Sequence, residues 1–179
     1  MLKERKKKAI IYRLGWDKCM KEQKTNVMRL LEQKKIKYIP HEYPHGDEAV
    51  DGLTVAQICS QNPGQVFKTL VARGASKNIY VFVIPVTNEL NLKKAAKAAG
   101  EKSVAMIHVS EINALTGYVR GGCSPIGMKK QYKTFFNESA ADCDTIMVSA
   151  GKIGYQVELN PDELIKLTRG IYADLTEEE

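Results

Sequence analysis

The sequence predicts a single α/β domain built around a mixed β-sheet. Three observations lead there. The chain has 179 residues, enough for one well-buried core and too few for two ordinary domains. Two apolar, strand-like runs, Val66 to Arg73 and Ile79 to Val86, flank a Gly-Ala-Ser-Lys-Asn link suited to a hairpin. Helical segments fall singly among further strands, without the regular alternation of a doubly wound fold and without an internal repeat.

The elements follow in order. Thr25 caps a helix whose apolar positions Val27, Leu30 and Leu31 show helical spacing. Residues 36–43 read as a strand ended by Pro40 or Pro44. Thr54 caps a short helix, Val55 to Ser60, stopped by Asn62-Pro63-Gly64. After the hairpin, the alanine- and lysine-rich stretch Leu92 to Ala99 ends at Gly100, a glycine stop. Ser110 caps Glu111 to Leu115, and Gly117 ends that turn of helix. Lys133 to Phe136, Thr145 to Ser149 and Tyr155 to Leu159 are strands, the last two joined by the Gly151-Lys152-Ile153-Gly154 turn. Pro161 opens a final helix through Thr168, with Asp162 and Glu163 at its start and Lys166 near its end.

The formal charge is +6, but residues 1–22 carry +5 of it. Residues 1–23 therefore read as a basic extension, 24–175 as the domain and 176–179 as an acidic tail. The extension reads as a disordered basic arm, solvated or RNA-steering, an added helix, or a stretch upstream of a start at Met20. A near-neutral body argues against strong nonspecific duplex binding but leaves room for a pocket that takes one RNA end. The four cysteines are widely spaced, without a Cys-x-x-Cys pair, and read as free thiols rather than a zinc or disulfide framework. No run approaches membrane-spanning length and no signal-peptide core follows the basic start, so a cytoplasmic protein is expected. No apolar heptad is evident, so a monomer is expected.

Two segments carry candidate chemistry. Lys68 sits inside the apolar run Val66-Phe67-Lys68-Thr69-Leu70-Val71-Ala72, whose two apolar faces predict a central strand. It reads either as a lysine directed at a phosphate or carboxylate, or as a strand-end lysine that reaches water. The loop from Thr116 to Gly127 holds Gly117, Gly121, Gly122 and Gly127. Backbone N–H groups around Gly121, Gly122 and Cys123 could form an oxyanion hole; a tight connection with no further role is the alternative. Cys123 lacks a histidine nearby in sequence and reads as a packing residue. His41, Tyr43 and His45 alternate on one strand face, where the two histidines are too far apart to share a metal. They form a polar wall bearing a tyrosine.

Taken together, ordered segments over residues 25–174 resemble the YbaK family of aminoacyl-tRNA deacylases, relatives of the editing domain in bacterial prolyl-tRNA synthetases. They are Phe67-Lys68-Thr69-Leu70, Leu90-x-Leu92-Lys93-Lys94, Thr116-Gly117-Tyr118, Gly121-Gly122-Cys123-Ser124-Pro125-Ile126-Gly127, Val148-Ser149-Ala150-Gly151-Lys152-x-Gly154 and Glu158-Leu159. His-x-Tyr-x-His and the closing Tyr172-Ala173-Asp174 resemble the Cys-tRNA(Pro) deacylase branch. The resemblance implies a barrel-like mixed sheet with flanking helices and an enzyme that removes cysteine from proline tRNA in trans. It implies attack by the substrate's own thiol, with no metal or organic cofactor. The implied partners are the aminoacyl-tRNA acceptor end and, transiently, prolyl-tRNA synthetase. By resemblance, Lys68 holds the terminal nucleotide and Gly121 serves the ester oxygen. Tyr43, Thr69, Gly122, Ser124, Ser149, Gly151 and Gln156 bind substrate. Three positions depart from the family pattern: Gln156 where some members have an acid, Asn137 where Asp is common, and Cys123 where an aliphatic residue is usual. A deacylase for alanine or another small residue, and a non-catalytic tRNA- or synthetase-binding module, are the competing readings.

Overall fold

The computed structural model describes residues 24–177. The basic extension 1–23, with its alternative start at Met20, and the last two residues of the acidic tail lie outside the described residues.

Among the described residues eight strands form two sheets. One has three strands, β1 (Ile39–Glu42), β6 (Ile146–Ser149) and β7 (Tyr155–Leu159), with β7 central and both pairings antiparallel. The other has five, in the order β4 (Val104–Met106), β2 (Phe67–Gly74), β3 (Ile79–Pro85), β5 (Lys133–Asn137), β8 (Ile171–Ala173). The β2–β3 hairpin and the β2–β4 pair are antiparallel, whereas β3–β5 and β5–β8 are parallel. The sheet is therefore mixed, as expected. Among the described residues the ladders do not close: β4 and β8 are edges, and a single parallel bridge, Val66 to Met147, joins the two sheets.

Among the described residues five α-helices surround them: α1 (Asn26–Gln33), α2 (Gly52–Ile58), α3 (Leu92–Ala99), α4 (Ile112–Thr116) and α5 (Pro161–Thr168). Thr25 caps α1, its hydroxyl accepting from Met28 N–H at 3.3 Å. Gly100, at φ +71°, ends α3 in the left-handed conformation that glycine adopts without a Cβ penalty. Asn160 caps α5 ahead of Pro161, with Asp162 and Glu163 in the first turn.

Four local expectations change. The strand predicted over 36–43 is only Ile39–Glu42, so Tyr43 and His45 lie beyond its end. Asp51, not Thr54, caps α2: its carboxylate accepts from the N–H groups of Leu53 and Thr54, and Thr54 Oγ1 donates to it as well. Aspartate wins because it sits one residue before the first helical position, where a side-chain oxygen reaches two orphan donors. Likewise His108 rather than Ser110 caps the turn Val109–Glu111 that leads into α4, with Glu111 accepting from His108 N–H at 3.1 Å. Finally, β2 is central only in part. β4 pairs with it at Ala72 to Gly74 alone, so the edge of Phe67 to Leu70 opposite β3 has no strand partner among the described residues.

The core lies on both sides of this framework. Val27, Met28 and Leu31 of α1 and Leu164 of α5 pack against Phe67, Val81, Phe136, Ile146, Val148 and Val157. The alanine face of α3 packs on Tyr80, Phe82, Ile84 and Phe135, joined by the fully buried Leu175. A bridge from Leu90 to Thr176 and the bond from Asn91 N–H to Leu175 O (2.8 Å) tie the chain's end to this layer. Among the described residues no helix is long and apolar enough to cross a membrane.

Candidate active site

A cavity of about 770 Å³ opens beside Val66, the residue whose bridge to Met147 joins the two sheets. That is room for a drug-sized molecule, since such ligands fill pockets of about 300–1,000 Å³. Its walls come from the start of β2, the 47–51 segment leading into α2, the glycine-rich loop, Ser149 at the end of β6, and β7. Of the nine residues expected at the site, Lys68, Gly121, Tyr43, Thr69, Ser149 and Gln156 line it; Gly122, Ser124 and Gly151 do not.

Each is placed by its local chemistry. Lys68 Nζ donates to Glu89 Oε1 at 3.0 Å; its side chain is 27 % exposed and that of Glu89 is 92 % exposed. The pair is thus a loose surface ion pair from which a stronger anion can take the ammonium. Thr69 lies next to it. The bonds Val86 N–H to Val66 O (2.8 Å) and Gly74 N–H to Asn78 O (2.9 Å) set the phase of the hairpin. Even-numbered residues of β2 direct their backbone groups at β3, so those of Thr69 point to the open edge. The buried Thr69 Oγ1 has no hydrogen-bond partner.

Gln156 is buried and accepts from Gln61 Nε2 at 3.0 Å, while Gln61 Oε1 is itself buried without a partner. Among the described residues Thr69 Oγ1 and Gln61 Oε1 are the two buried side-chain polar atoms left unsatisfied. One lines the cavity and the other belongs to the partner of a lining residue. Buried polar atoms are nearly always paired, so such a concentration marks a place that water or a ligand completes.

The glycine-rich loop is closed at its base by Lys129 N–H to Thr116 O (3.1 Å) and internally by the Tyr118 hydroxyl donating to Ile126 O. Val119 to Gly122 forms a turn closed by Gly122 N–H to Val119 O at 3.0 Å. Gly121 holds φ +83°, the third-position conformation of a type II turn. A Cβ there would meet Ala49 Cβ at 2.6 Å and Ala49 Cα at 2.9 Å. Glycine is therefore required twice, by backbone angle and by the close approach of the 47–51 segment. The turn consumes the Gly122 N–H, so Gly122 contributes no donor to an oxyanion. The N–H groups of Gly121 and Cys123 donate to no described residue, and both residues line the cavity.

Ser124 is fully buried and its hydroxyl accepts from Ile126 N–H at 3.3 Å, shaping the loop from inside. Gly151, at φ +87°, packs against Tyr118 and Val27 and donates its N–H to Ser149 Oγ at 3.2 Å. Its role is to allow the turn that presents Ser149.

The cavity offers little conventional nucleophilic or basic machinery. Burial pushes the Cys123 thiol up to about 11, so it is protonated at neutral pH. Burial also raises the Tyr43 hydroxyl above its usual value, keeping it a donor. Among the described residues no histidine lines the cavity. The expected shared face of His41, Tyr43 and His45 is not formed, because β1 ends at Glu42. His41 Nε2 pairs with Glu158 Oε2 at 2.6 Å, His45 Nδ1 donates to Gly46 O at 2.9 Å, and only Tyr43 reaches the cavity. Three acids, Asp47, Glu48 and Asp51, and one further base, Arg120, line the wall and were not singled out from sequence. Asp51 is committed to its helix cap. Among the described residues no three His, Cys, Asp or Glu side chains cluster as a metal site would need.

The comparisons with known proteins decide what kind of site this is. Residues 48–167, two-thirds of the chain, match the aminoacyl-tRNA editing domain family. The chain belongs to this family. An Enterococcus faecalis protein that carries the name Cys-tRNA(Pro)/Cys-tRNA(Cys) deacylase EbsC is 46 % identical over 158 residues, covering 88 % of this chain and 96 % of that protein. A solved structure described as a trans-editing enzyme for prolyl-tRNA synthetase superposes with a TM-score of 0.73 at 26 % identity, over 85 % of this chain and 95 % of the other. The hypothetical protein APE2540 shares the fold at a TM-score of 0.76 and 20 % identity, over 84 % and 99 % of the two chains. The family match covers most segments that line the cavity, from Glu48 through the glycine-rich turn to β7, with Tyr43 and Asp47 just before it.

Proposed function

We propose that this protein is a free-standing editing deacylase that removes cysteine wrongly attached to tRNA(Pro). A synthetase pocket for proline cannot strongly reject cysteine, because the two differ too little in size and polarity. A second enzyme that reads the amino acid differently corrects the error. The observation that carries the reading is the pairing of free loop donors with a site that lacks a protein nucleophile. Gly121 and Cys123 line the cavity with N–H groups that donate to no described residue, while the cavity's own thiol is held protonated. The name of the Enterococcus relative supports the substrate.

The chemistry is then supplied by the substrate. The cysteinyl thiol gives up its proton, and its sulfur attacks the ester carbonyl carbon. Negative charge grows on the carbonyl oxygen, where the loop N–H groups stabilise it. The carbon–oxygen bond to the ribose breaks, and the tRNA leaves as its hydroxyl, taking up the proton. The amino acid is released as a cyclic thioester that water opens to cysteine. Lys68 holds the terminal nucleotide through phosphate, Thr69 and Ser149 fix the ester, and Tyr43 closes the wall. This is catalysis by positioning. Asp47 and Glu48 give the wall the negative charge that suits the substrate's ammonium, a charge Gln156 does not supply. The tRNA acceptor end is the main partner, with prolyl-tRNA synthetase a transient one, in the cytoplasm where mischarged tRNA forms.

Deacylation of Cys-tRNA(Pro), Ser-tRNA(Pro) and Ala-tRNA(Pro) tests the mechanism. Loss of the cysteinyl ester alone is expected. Cleavage of the alanyl ester would require an activated water and overturn substrate assistance. No turnover of any ester would leave a binding module.

A further inference from the structure

We infer that Arg120 is a second phosphate-binding residue, holding the phosphodiester of the 3′-terminal nucleotide while the ester lies over the Gly121 turn. The inference rests on the deacylase reading and adds a residue that neither the sequence motifs nor the relatives assign. Arg120 occupies the second position of the Val119–Gly122 turn, immediately before the Gly121 N–H. The turn is rigid: Gly121 is held by its left-handed backbone and by Ala49, and Gly122 abuts the backbone of Lys152 and Ile153. The base of the Arg120 side chain is therefore fixed relative to the oxyanion donor.

Arg120 is exposed at the cavity wall and makes no hydrogen bond or ion pair with a described residue. Lys68, the other base on that wall, is paired with Glu89. Arg73 is paired with Glu111 and Lys94 with Asp174. Asp47 and Glu48 flank Ala49 beside the turn, yet neither comes within ion-pair distance of Arg120. An unpaired guanidinium offers a planar fork that matches two phosphate oxygens. Its neighbour Val119 is 51 % exposed on the same wall and gives the terminal base an apolar surface. The wall thus carries both charges the substrate needs: Lys68 and Arg120 for phosphate, Asp47 and Glu48 for the ammonium.

The test is deacylation of Cys-tRNA(Pro) by the full chain across a salt series, for wild type, Arg120→Gln, Arg120→Lys and Lys77→Gln. Lys77 lies in the β2–β3 turn, about 20 Å along β2 from Lys68 at roughly 3.3 Å per residue. Arg120→Gln should raise KM roughly tenfold with a smaller change in kcat, the scale of one lost charge-assisted hydrogen bond. The dependence of log(kcat/KM) on log salt should become shallower by about 0.7, one single-strand phosphate contact. Arg120→Lys should keep the salt slope and recover part of the KM. Lys77→Gln should leave both unchanged. Wild-type KM and slope in Arg120→Gln, or an equal change in Lys77→Gln, would overturn the assignment while leaving the deacylase reading intact. Absent wild-type turnover would overturn that reading instead. The same salt slope, measured on binding of uncharged tRNA(Pro), then decides whether Arg120 holds phosphate.

Discussion

Replacing Lys68 by Met separates its role in the fold from its role in the reaction. Methionine keeps an unbranched apolar stem and removes the ammonium. In the folded protein that ammonium makes one ion pair, with a glutamate 92 % exposed. Exposed pairs of this kind contribute about 0–1 kcal/mol. At a few degrees per kcal/mol for a chain of this size, the melting temperature should fall by less than about 4 °C. If the ammonium instead holds a substrate phosphate in the cavity, the variant loses a charged hydrogen bond worth about 1.5–3 kcal/mol. That is roughly a ten- to hundred-fold loss in kcat/KM. Thermal melting and single-turnover deacylation of Cys-tRNA(Pro) read the two quantities separately. Folded Lys68→Met protein with wild-type kcat/KM would refute the assignment. Activity lost in proportion to a large fall in melting temperature would refute the claim that the role is one of substrate binding.

Other perturbations test the surrounding elements. Gly121→Ala places a Cβ 2.6 Å from Ala49 Cβ at a φ of +83°, so both melting temperature and deacylation should fall, the backbone strain alone costing about 1–3 kcal/mol. Cys123→Ala should keep the larger part of the deacylase activity, because the thiol, pushed up to about 11, is not the nucleophile; an inactive but folded variant would contradict this. Burial raises the Glu158 carboxyl, but hydrogen bonds from Thr145 and His41 outweigh it and hold the group below its ordinary value of 4.5. A depressed folded value means the stabilisation is complete above the unfolded value and is lost as pH falls through the folded one. Denaturant melts between neutral pH and acid should therefore show a shallower acid-side loss in Thr145→Val than in wild type.

How far the sequence carried can be seen residue by residue. The β2–β3 hairpin, α3 with its Gly100 stop and the Pro161 helix start are local events, written in apolar runs and in residues with special backbone angles. β4 and β8 were not legible, because each is three residues long and exists through pairing with a distant strand. Asp51 was passed over as a cap because Thr54 also fits the pattern, and only the chain's path decides which oxygen meets the free N–H groups. Lys68 and Gly121 stood out on a strand and a loop and both line the cavity, whereas Thr69 entered only through the family resemblance. Arg120, Asp47 and Glu48 were not readable, since an exposed charge on a loop carries no signal until another segment is folded against it. Gln61 could have been found only by knowing that α2 ends over β7. Gly122 was expected to donate to an oxyanion, but turn closure claims its N–H, a competition invisible in a run of glycines.

The location of the site has a physical reason that also bears on its chemistry. A strand whose ladder partner stops short leaves backbone groups unpaired, which invites association with another chain. In β2 the partner β4 stops at Ala72, and the open edge at Thr69 is roofed by the 47–51 segment and the Gly121 turn instead of a strand. Among the described residues a single bridge, Val66 to Met147, joins the two sheets, and Val66 lines the cavity. Beside its charged side chains the cavity wall holds backbone without a described partner: the edge of Thr69 and the N–H groups of Gly121 and Cys123. Backbone donors stabilise charge on an ester oxygen but take no proton and form no covalent bond to a substrate. On the proposed reading such a site accelerates the ester that brings its own nucleophile and discriminates against the rest, so a selectivity for a thiol-bearing amino acid would follow from what the walls lack as much as from what they hold.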